Sequence, residues 1–389
     1  MSRDGARVVQ AFFSANSRPE HGYEPRPDGC EHGYELRPDR PVYPSTVADT
    51  DTDTAPMRLP DMPLHDPFVV ADEKTRTYYL YTSNDPSVSG VDGTGTMVYR
   101  SHDLRDWTRP VVVFLAAEQK EMWATDGGWA PEVHEWDGRY YLFTTLHNQD
   151  RPLPVPPPNR WGTPFQIPAY MRGTITAVSS SPLGPFTVVD PARPTPPANL
   201  MTLDGTLHVD PAGQPWMVYA HEWLQTIDGT MEAIRLAPDL SRTIGDPVFL
   251  FKASDASWLT EEIPGGLPNQ LPPYITDGPQ LHRTPDGSLL MLWSTYEKNV
   301  VGADGNISGG YVQTYAVSES GTITGPWRQH RPLVRDDSGH GMLFHTFDGR
   351  LMMVLHRPFE NARGKLYEME IVGDELRVLR RRADLDGGG

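Results

Sequence analysis

Leu64-His65-Asp66-Pro67-Phe68-Val69-Val70 places an acid at the mouth of an apolar run, with a Tyr-rich run, Tyr78-Tyr79-Leu80-Tyr81-Thr82, one turn later. A charge there is costly unless it is hydrogen-bonded or used in chemistry, which makes Asp66 a candidate catalytic carboxylate. The opening recurs four times: Gly128-Trp129-Ala130-Pro131-Glu132, Leu203-Asp204-Gly205-Thr206, Thr276-Asp277-Gly278-Pro279 and Gly339-His340-Gly341-Met342. After each come further short apolar strands separated by turn residues, such as Asp137-Gly138 and Ala71-Asp72-Glu73-Lys74. Each group of four strands has two apolar faces and cannot bury both alone. Five such groups are satisfied by a ring, so the pattern predicts an all-β, five-bladed β-propeller over 57–385. Two β-sandwich domains are the rival arrangement, and the lack of a linker between repeats favours one ring.

Residues 1–56 read as an irregular or disordered N-terminal arm. They carry a short duplication, Glu20-His21-Gly22-Tyr23-Glu24 and Glu31-His32-Gly33-Tyr34-Glu35, and too few apolar residues to offset the entropy of ordering. Residues 386–389 read as a C-terminal tail. The formal charge of −17 over 389 residues argues against a nucleic-acid partner, which needs clustered Lys and Arg. A single cysteine, Cys30, allows no intrachain disulfide. No apolar run approaches membrane-spanning length, and the short apolar stretch Val8–Phe13 lacks a clear cleavage site, so a cytoplasmic chain with no membrane partner is expected. Nothing in the sequence fixes the oligomeric state.

As an ordered set, His65-Asp66-Pro67-Phe68, Trp129-Ala130-Pro131-Glu132-Val133, Leu203-Asp204-Gly205, Asp277-Gly278-Pro279 and Gly339-His340-Gly341 resemble glycoside hydrolase family 43 across nearly all of 57–385. That resemblance implies inverting hydrolysis of an oligosaccharide or glycoside, with Asp66 as general base and Asp204 orienting it and tuning pKa. The family pattern has Glu before the Gly-Pro of blade four. This chain has Asp277 there, one methylene shorter.

Asp277 is one candidate for the general acid, and Glu222, ranked slightly above it, is the other. Glu222 ends the second strand of blade three, and antiparallel neighbours bring that end beside the start of the first strand, where Asp204 lies. The same geometry places His147, Tyr296 and Arg357 around this face. Trp129 and Trp223 offer ring faces for sugars. His65, Glu132 and His221, in or beside these motifs, complete the expected substrate-binding set. Each has a plainer reading: Asp-Pro and Asp-Gly are common turns, Glu222 fits a rim ion pair with Arg235, Arg357 fits a salt bridge, and most tryptophans pack blades.

No cofactor is required. The resemblance implies a structural calcium or sodium ion in the central channel, approached by His340 through water; a hydrogen-bonded channel histidine without metal is the alternative. The leading expectation is an exo-acting enzyme releasing a terminal furanose, α-L-arabinofuranose or β-D-galactofuranose, because the loop material at 151–170 and 253–275 could narrow a cleft to a pocket. A β-xylosidase, an endo-arabinanase, a non-catalytic carbohydrate-binding propeller and a retaining enzyme of a related five-bladed family are the alternatives.

Overall fold

A computed structural model describes residues 55–154, 169–259, 274–301 and 307–387. Residues 1–54 of the expected arm, and 155–168 and 260–273 of the loop material expected at 151–170 and 253–275, lie outside the described residues. Twenty strands form five four-stranded antiparallel sheets, each using its strands in chain order. Blade one is β1 (Phe68–Asp72), β2 (Thr77–Ser83), β3 (Gly95–Ser101) and β4 (Val111–Leu115). Blade two is β5 (Asp126–Trp136), β6 (Arg139–Pro152), β7 (Tyr170–Ser179) and β8 (Thr187–Val188). Blade three is β9 (Thr202–Val209), β10 (Pro215–His221), β11 (Thr230–Leu236) and β12 (Thr243–Lys252). Blade four is β13 (Asp277–Arg283), β14 (Leu289–Val301), β15 (Ile307–Ser318) and β16 (Trp327–Gln329). Blade five is β17 (Gly339–His345), β18 (Leu351–Arg357), β19 (Arg363–Val372) and β20 (Glu375–Arg381).

The expected blades are found, with one local difference. The second strand of blade three stops at His221, and Glu222 caps a four-residue helix, Trp223–Thr226. Strand β1 lies against both β5 and β17, so the first strands of the blades form a closed inner ring. Apolar side chains fill the spaces between blades. Tyr141 and Phe143 of blade two meet Met217, Tyr219 and Ile234 of blade three; Leu290 and Leu292 of blade four meet Leu343, Met353 and Leu355 of blade five. Each fully buried Leu or Phe contributes about 1.5–3 kcal/mol relative to exposure. The sheets thus bury each other's faces, as the repeat pattern requires.

Among the described residues no strand is shared between the first and last blades, so ring closure rests on β1 packing against β17 and on the segments at their edges. Met57 forms an antiparallel bridge with Trp107 of blade one, while Leu64 N–H donates to Ala362 O of blade five at 3.1 Å. Arg363 Nε donates to Pro60 O at 2.9 Å. The helix Ala383–Asp386 returns Asp386 to this seam, where it accepts from Leu366 N–H at 3.1 Å and from Arg381 at 2.8 and 3.1 Å. Asp386 is fully buried. Its removal takes two hydrogen bonds from Arg381 and one from the buried Leu366 amide, so Asp386→Ala is expected to cost about 3 kcal/mol. A lowered denaturation midpoint in urea checks this; an unchanged midpoint would mean that the seam holds without it.

Candidate active site

Every inner strand opens with the same backbone device. Asp66, Ala130, Asp204, Gly278 and His340 have φ between 44° and 56°, and each precedes Pro or Gly. In blades two to five, the pairing shifts register at this point. A left-handed non-glycine residue costs on the order of 1 kcal/mol or more, so its recurrence marks a bulge that turns a chosen side chain towards the ring axis. Asp66, Asp204 and His340 occupy equivalent positions. Asp277 sits one residue earlier, beside the equivalent Gly278.

Three histidines surround the Oδ1 atom of Asp66: His65 Nδ1 at 3.0 Å, His340 Nδ1 at 3.2 Å and His356 Nδ1 at 3.3 Å. Burial alone would raise the Asp66 pKa, but the neighbouring His340 and His65 and the His356 hydrogen bond hold it well below the ordinary carboxylate value. Asp66 is therefore kept ionised. Burial, then the Asp277 and Asp66 charges, push the Asp204 carboxyl well above its ordinary value. Asp204 Oδ2 accepts from Gly278 N–H at 3.2 Å, and Asp277 Oδ2 accepts from the Tyr311 hydroxyl at 2.5 Å. Asp204 is also hydrogen-bonded to Asp277, and it holds a proton that Asp66 does not.

Glu222 sits just past β10, fully buried, with Oε1 accepting from Arg172. Its Oε2 has no partner among the described residues. Burial drives its pKa up, Arg172 opposes this and Asp277 adds to it, for a value of about 7. The Arg172 guanidinium lies over the rings of Trp129 and Tyr170, at 4.7 and 4.8 Å, and also donates to the Tyr170 hydroxyl. His147 packs edge-on to Trp129 at 4.8 Å and faces the Tyr170 hydroxyl through Nδ1 at 3.4 Å.

Other expected residues are placed as follows. Glu132 lies one layer down the axis, paired with His134 Nε2 at 2.9 Å, lining a small cavity with Asp66, Phe68, Gln280, His340 and Met342. Tyr296 packs against Tyr311, at 5.2 Å between ring centroids. His221 turns to Glu232 and Gln225 rather than to the carboxylates. Trp223 is enclosed in the apolar cluster between blades three and four, so no ring face is open to a sugar. Arg357 hydrogen-bonds Tyr367, away from the carboxylates.

Sequence reasoning missed His356, Tyr311, Arg172, Tyr170 and Phe359. Residues alternate faces along a strand, so choosing Arg357 at the end of β18 excluded its neighbour His356, which is the one facing Asp66. Arg172 had a legible signal, a lone cation inside the apolar run of β7. Phe359 packs against His65, His356 and Tyr311 at 4.8, 5.6 and 5.4 Å, and nothing in its local sequence marks it.

Asp204, Asp277 and His340 bring two carboxylate oxygens and an imidazole nitrogen within 4.8 Å of one another, and His65, Asp66 and His356 form a similar group. Each set offers ligand atoms for a cation only once its carboxyls are deprotonated, and the imidazoles suit a transition metal better than calcium.

An ionised carboxylate at Asp66, together with a buried carboxyl at Glu222 whose pKa is about 7, is the equipment of glycoside hydrolysis. The sequence model for glycosyl hydrolases family 43 matches residues 61–373. The chain belongs to glycoside hydrolase family 43. It is thus a glycoside hydrolase acting on an oligosaccharide or glycoside, and inversion is consistent with that family. An endo-arabinase from Bacteroides thetaiotaomicron is 36% identical, with a TM-score of 0.68, covering 83% of this chain and 100% of that one. A thermostable family-43 glycoside hydrolase (21% identity, TM-score 0.61, 82% and 93% covered) shares the fold. So does an endo-1,4-β-xylanase from B. thetaiotaomicron (21%, 0.60, 82% and 95%). No curated protein sequence matches this family 43 chain. Among the described residues no helix is long and apolar enough to cross a membrane.

Proposed function

We propose that this family 43 enzyme hydrolyses α-L-arabinofuranosyl linkages with inversion, Asp66 activating water and Glu222 protonating the leaving oxygen. The three imidazole nitrogens at 3.0–3.3 Å from Asp66 Oδ1, which favour its ionised form, are the observation that carries the base assignment. Asp204, held protonated against Asp277, orients the base and limits the negative charge around the sugar. Glu222 suits the donor because its pKa of about 7 leaves a proton available near neutral pH, and its Oε2 is unpaired among the described residues. Asp277 suits it less well. Asp66 and Asp277 lie 3.2 and 3.8 Å from the same His340 nitrogen, capping that pair of oxygens at about 7 Å, near the lower end of the roughly 6.5–9.5 Å an inverting pair uses.

The arabinofuranosyl reading draws its support from the 36% identical endo-arabinase. Release of a terminal residue is our first reading of the mode, because the three axial carboxylates are only 6–12% exposed, as at the bottom of a pocket rather than along an open groove. Internal cleavage is the second, favoured by that relative's name. Hydrolysis itself requires no cofactor in this reading. A structural calcium or sodium ion in the central channel, approached by His340 through water, belongs to this reading as a proposal apart from the proton held at Asp204.

The test is a product time course on linear arabinan, with a panel of aryl α-L-arabinofuranoside, β-D-galactofuranoside and β-D-xylopyranoside, in chelator-treated and calcium-supplemented buffer. Early free arabinose and turnover of the arabinofuranoside alone are expected. Early oligosaccharides would replace the exo mode with the endo one, and turnover of another glycoside alone would overturn the sugar. Rates and thermal midpoints that are identical in the two buffers would remove the calcium assignment.

A further inference from the structure

The two ring nitrogens of His221 each meet an acceptor. Its Nδ1 is 2.9 Å from Glu232 Oε1, and its Nε2 is 2.8 Å from Gln225 Oε1. The Gln225 amide cannot be turned over, because backbone groups fix both its ends: Met201 N–H donates to Oε1 at 2.7 Å, and Nε2 donates to Asn199 O at 2.9 Å. The Glu232 carboxylate is acceptor-only, taking further hydrogen bonds from Thr230 Oγ1 at 3.0 Å and the Tyr219 hydroxyl at 3.2 Å. Both imidazole nitrogens must then carry hydrogen, since a neutral ring would set a lone pair against an acceptor oxygen.

We propose that His221 is a permanently charged positioning residue, an imidazolium that ties the turn carrying Glu222 to the segment leading into Asp204 and sets the proton affinity of Glu222. The tie is continuous. His221 precedes Glu222 directly; Gln225 lies in the helix that Glu222 caps; and Asn199 and Met201 lead into β9, which carries Asp204. Glu222 N–H itself donates to Met201 O at 2.8 Å. The clasp therefore fixes two carboxyl-bearing strands relative to each other.

The charge acts on the same group. Facing Glu222 are the Arg172 guanidinium and Tyr170 hydroxyl of β7, the Asp277 carboxyl of β13, and His221. Facing His221 are Glu232 of β11, which also accepts from the Tyr219 hydroxyl, and Glu222. Two cations thus oppose the burial that keeps Glu222 protonated. Loss of the His221 charge removes one of them and raises the Glu222 pKa.

This inference rests on Glu222 as proton donor, and the experiment separates the two. In the full chain, nitrogen-15 NMR of His221 is expected to show both ring nitrogens protonated at about pH 8.5, roughly two units above the ordinary histidine pKa. Glu232→Gln removes the counter-charge while keeping an oxygen acceptor, and there the ring is expected to turn neutral by that pH. In both His221→Gln and Glu232→Gln, the alkaline limb of kcat/KM is expected to move up by on the order of one pH unit. In both, kcat on an unactivated arabinoside should fall about tenfold at pH 6, with KM little changed. A neutral His221 tautomer in the wild type overturns the proposal. An imidazolium whose loss leaves the pH limb in place also overturns it, reducing His221 to a packing residue. Failure of the donor assignment would be seen elsewhere, in Glu222→Gln kinetics, with the His221 signal unaltered.

Discussion

Asp66→Asn is expected to lose hydrolysis by roughly a thousandfold or more on every substrate, activated or not, while the propeller stays folded. The substitution is chosen on physical grounds. Asp66 has φ of 47°, and asparagine enters that left-handed region about as readily as aspartate, whereas most other residues add backbone strain. The amide keeps an oxygen facing the imidazoles and lacks only the charge that activates water. Binding of the sugar should persist, because the groups around Asp66 are fixed by other contacts: His340 N–H donates to Ser294 Oγ at 2.8 Å, and His65 N–H faces Thr82 Oγ1 at 3.2 Å. Initial rates alongside a thermal melt check this. A folded variant with undiminished turnover would remove Asp66 from the chemistry; a wild type that binds sugar without turning it over would instead revive the carbohydrate-binding reading.

The fold was legible because it is written five times. Each blade opening pairs a left-handed residue with Pro or Gly, and at Asp66-Pro67, Ala130-Pro131, Asp204-Gly205, Gly278-Pro279 and His340-Gly341 the sequence carries that requirement openly. The same repetition exposed Asp66, Asp204 and His340. Less legible was much of what the other strands supply, although His147, Tyr296 and Glu222 were legible as the expected ends of second strands. His356 is at the end of a second strand, Arg172 and Tyr311 are in third strands, and they reach the site because the blades twist and stack. Trp223 was misplaced for a related reason. The alternation of β10 ends at His221, and a short helix then turns the indole inward among Met231, Phe251 and Trp293. Period-two reasoning holds only as far as the strand does.

Glu222→Gln is expected to separate substrates by their leaving groups, which no other change in the site should do. A general acid matters in proportion to how badly the departing oxygen needs a proton. On an arabinan oligosaccharide the variant should lose roughly a thousandfold in kcat/KM; on a dinitrophenyl arabinofuranoside, whose phenolate leaves unaided, it should stay within about tenfold of wild type. The pH dependence has a definite sign. The active form of Glu222 is protonated and its pKa is about 7, so wild-type rates on the oligosaccharide should fall as pH rises through that value. The variant acting on the dinitrophenyl substrate should lack that alkaline limb. Asp277→Asn should slow both substrates alike, because Asp277 accepts from Tyr311 and hydrogen-bonds Asp204 at the floor of the sugar site. Glutamine at 222 keeps an oxygen for Arg172, so that buried guanidinium is not left bare and the variant remains foldable. If leaving-group selectivity appears instead in Asp277→Asn, the donor is the shortened blade-four acid and Glu222 is an electrostatic anchor for Arg172.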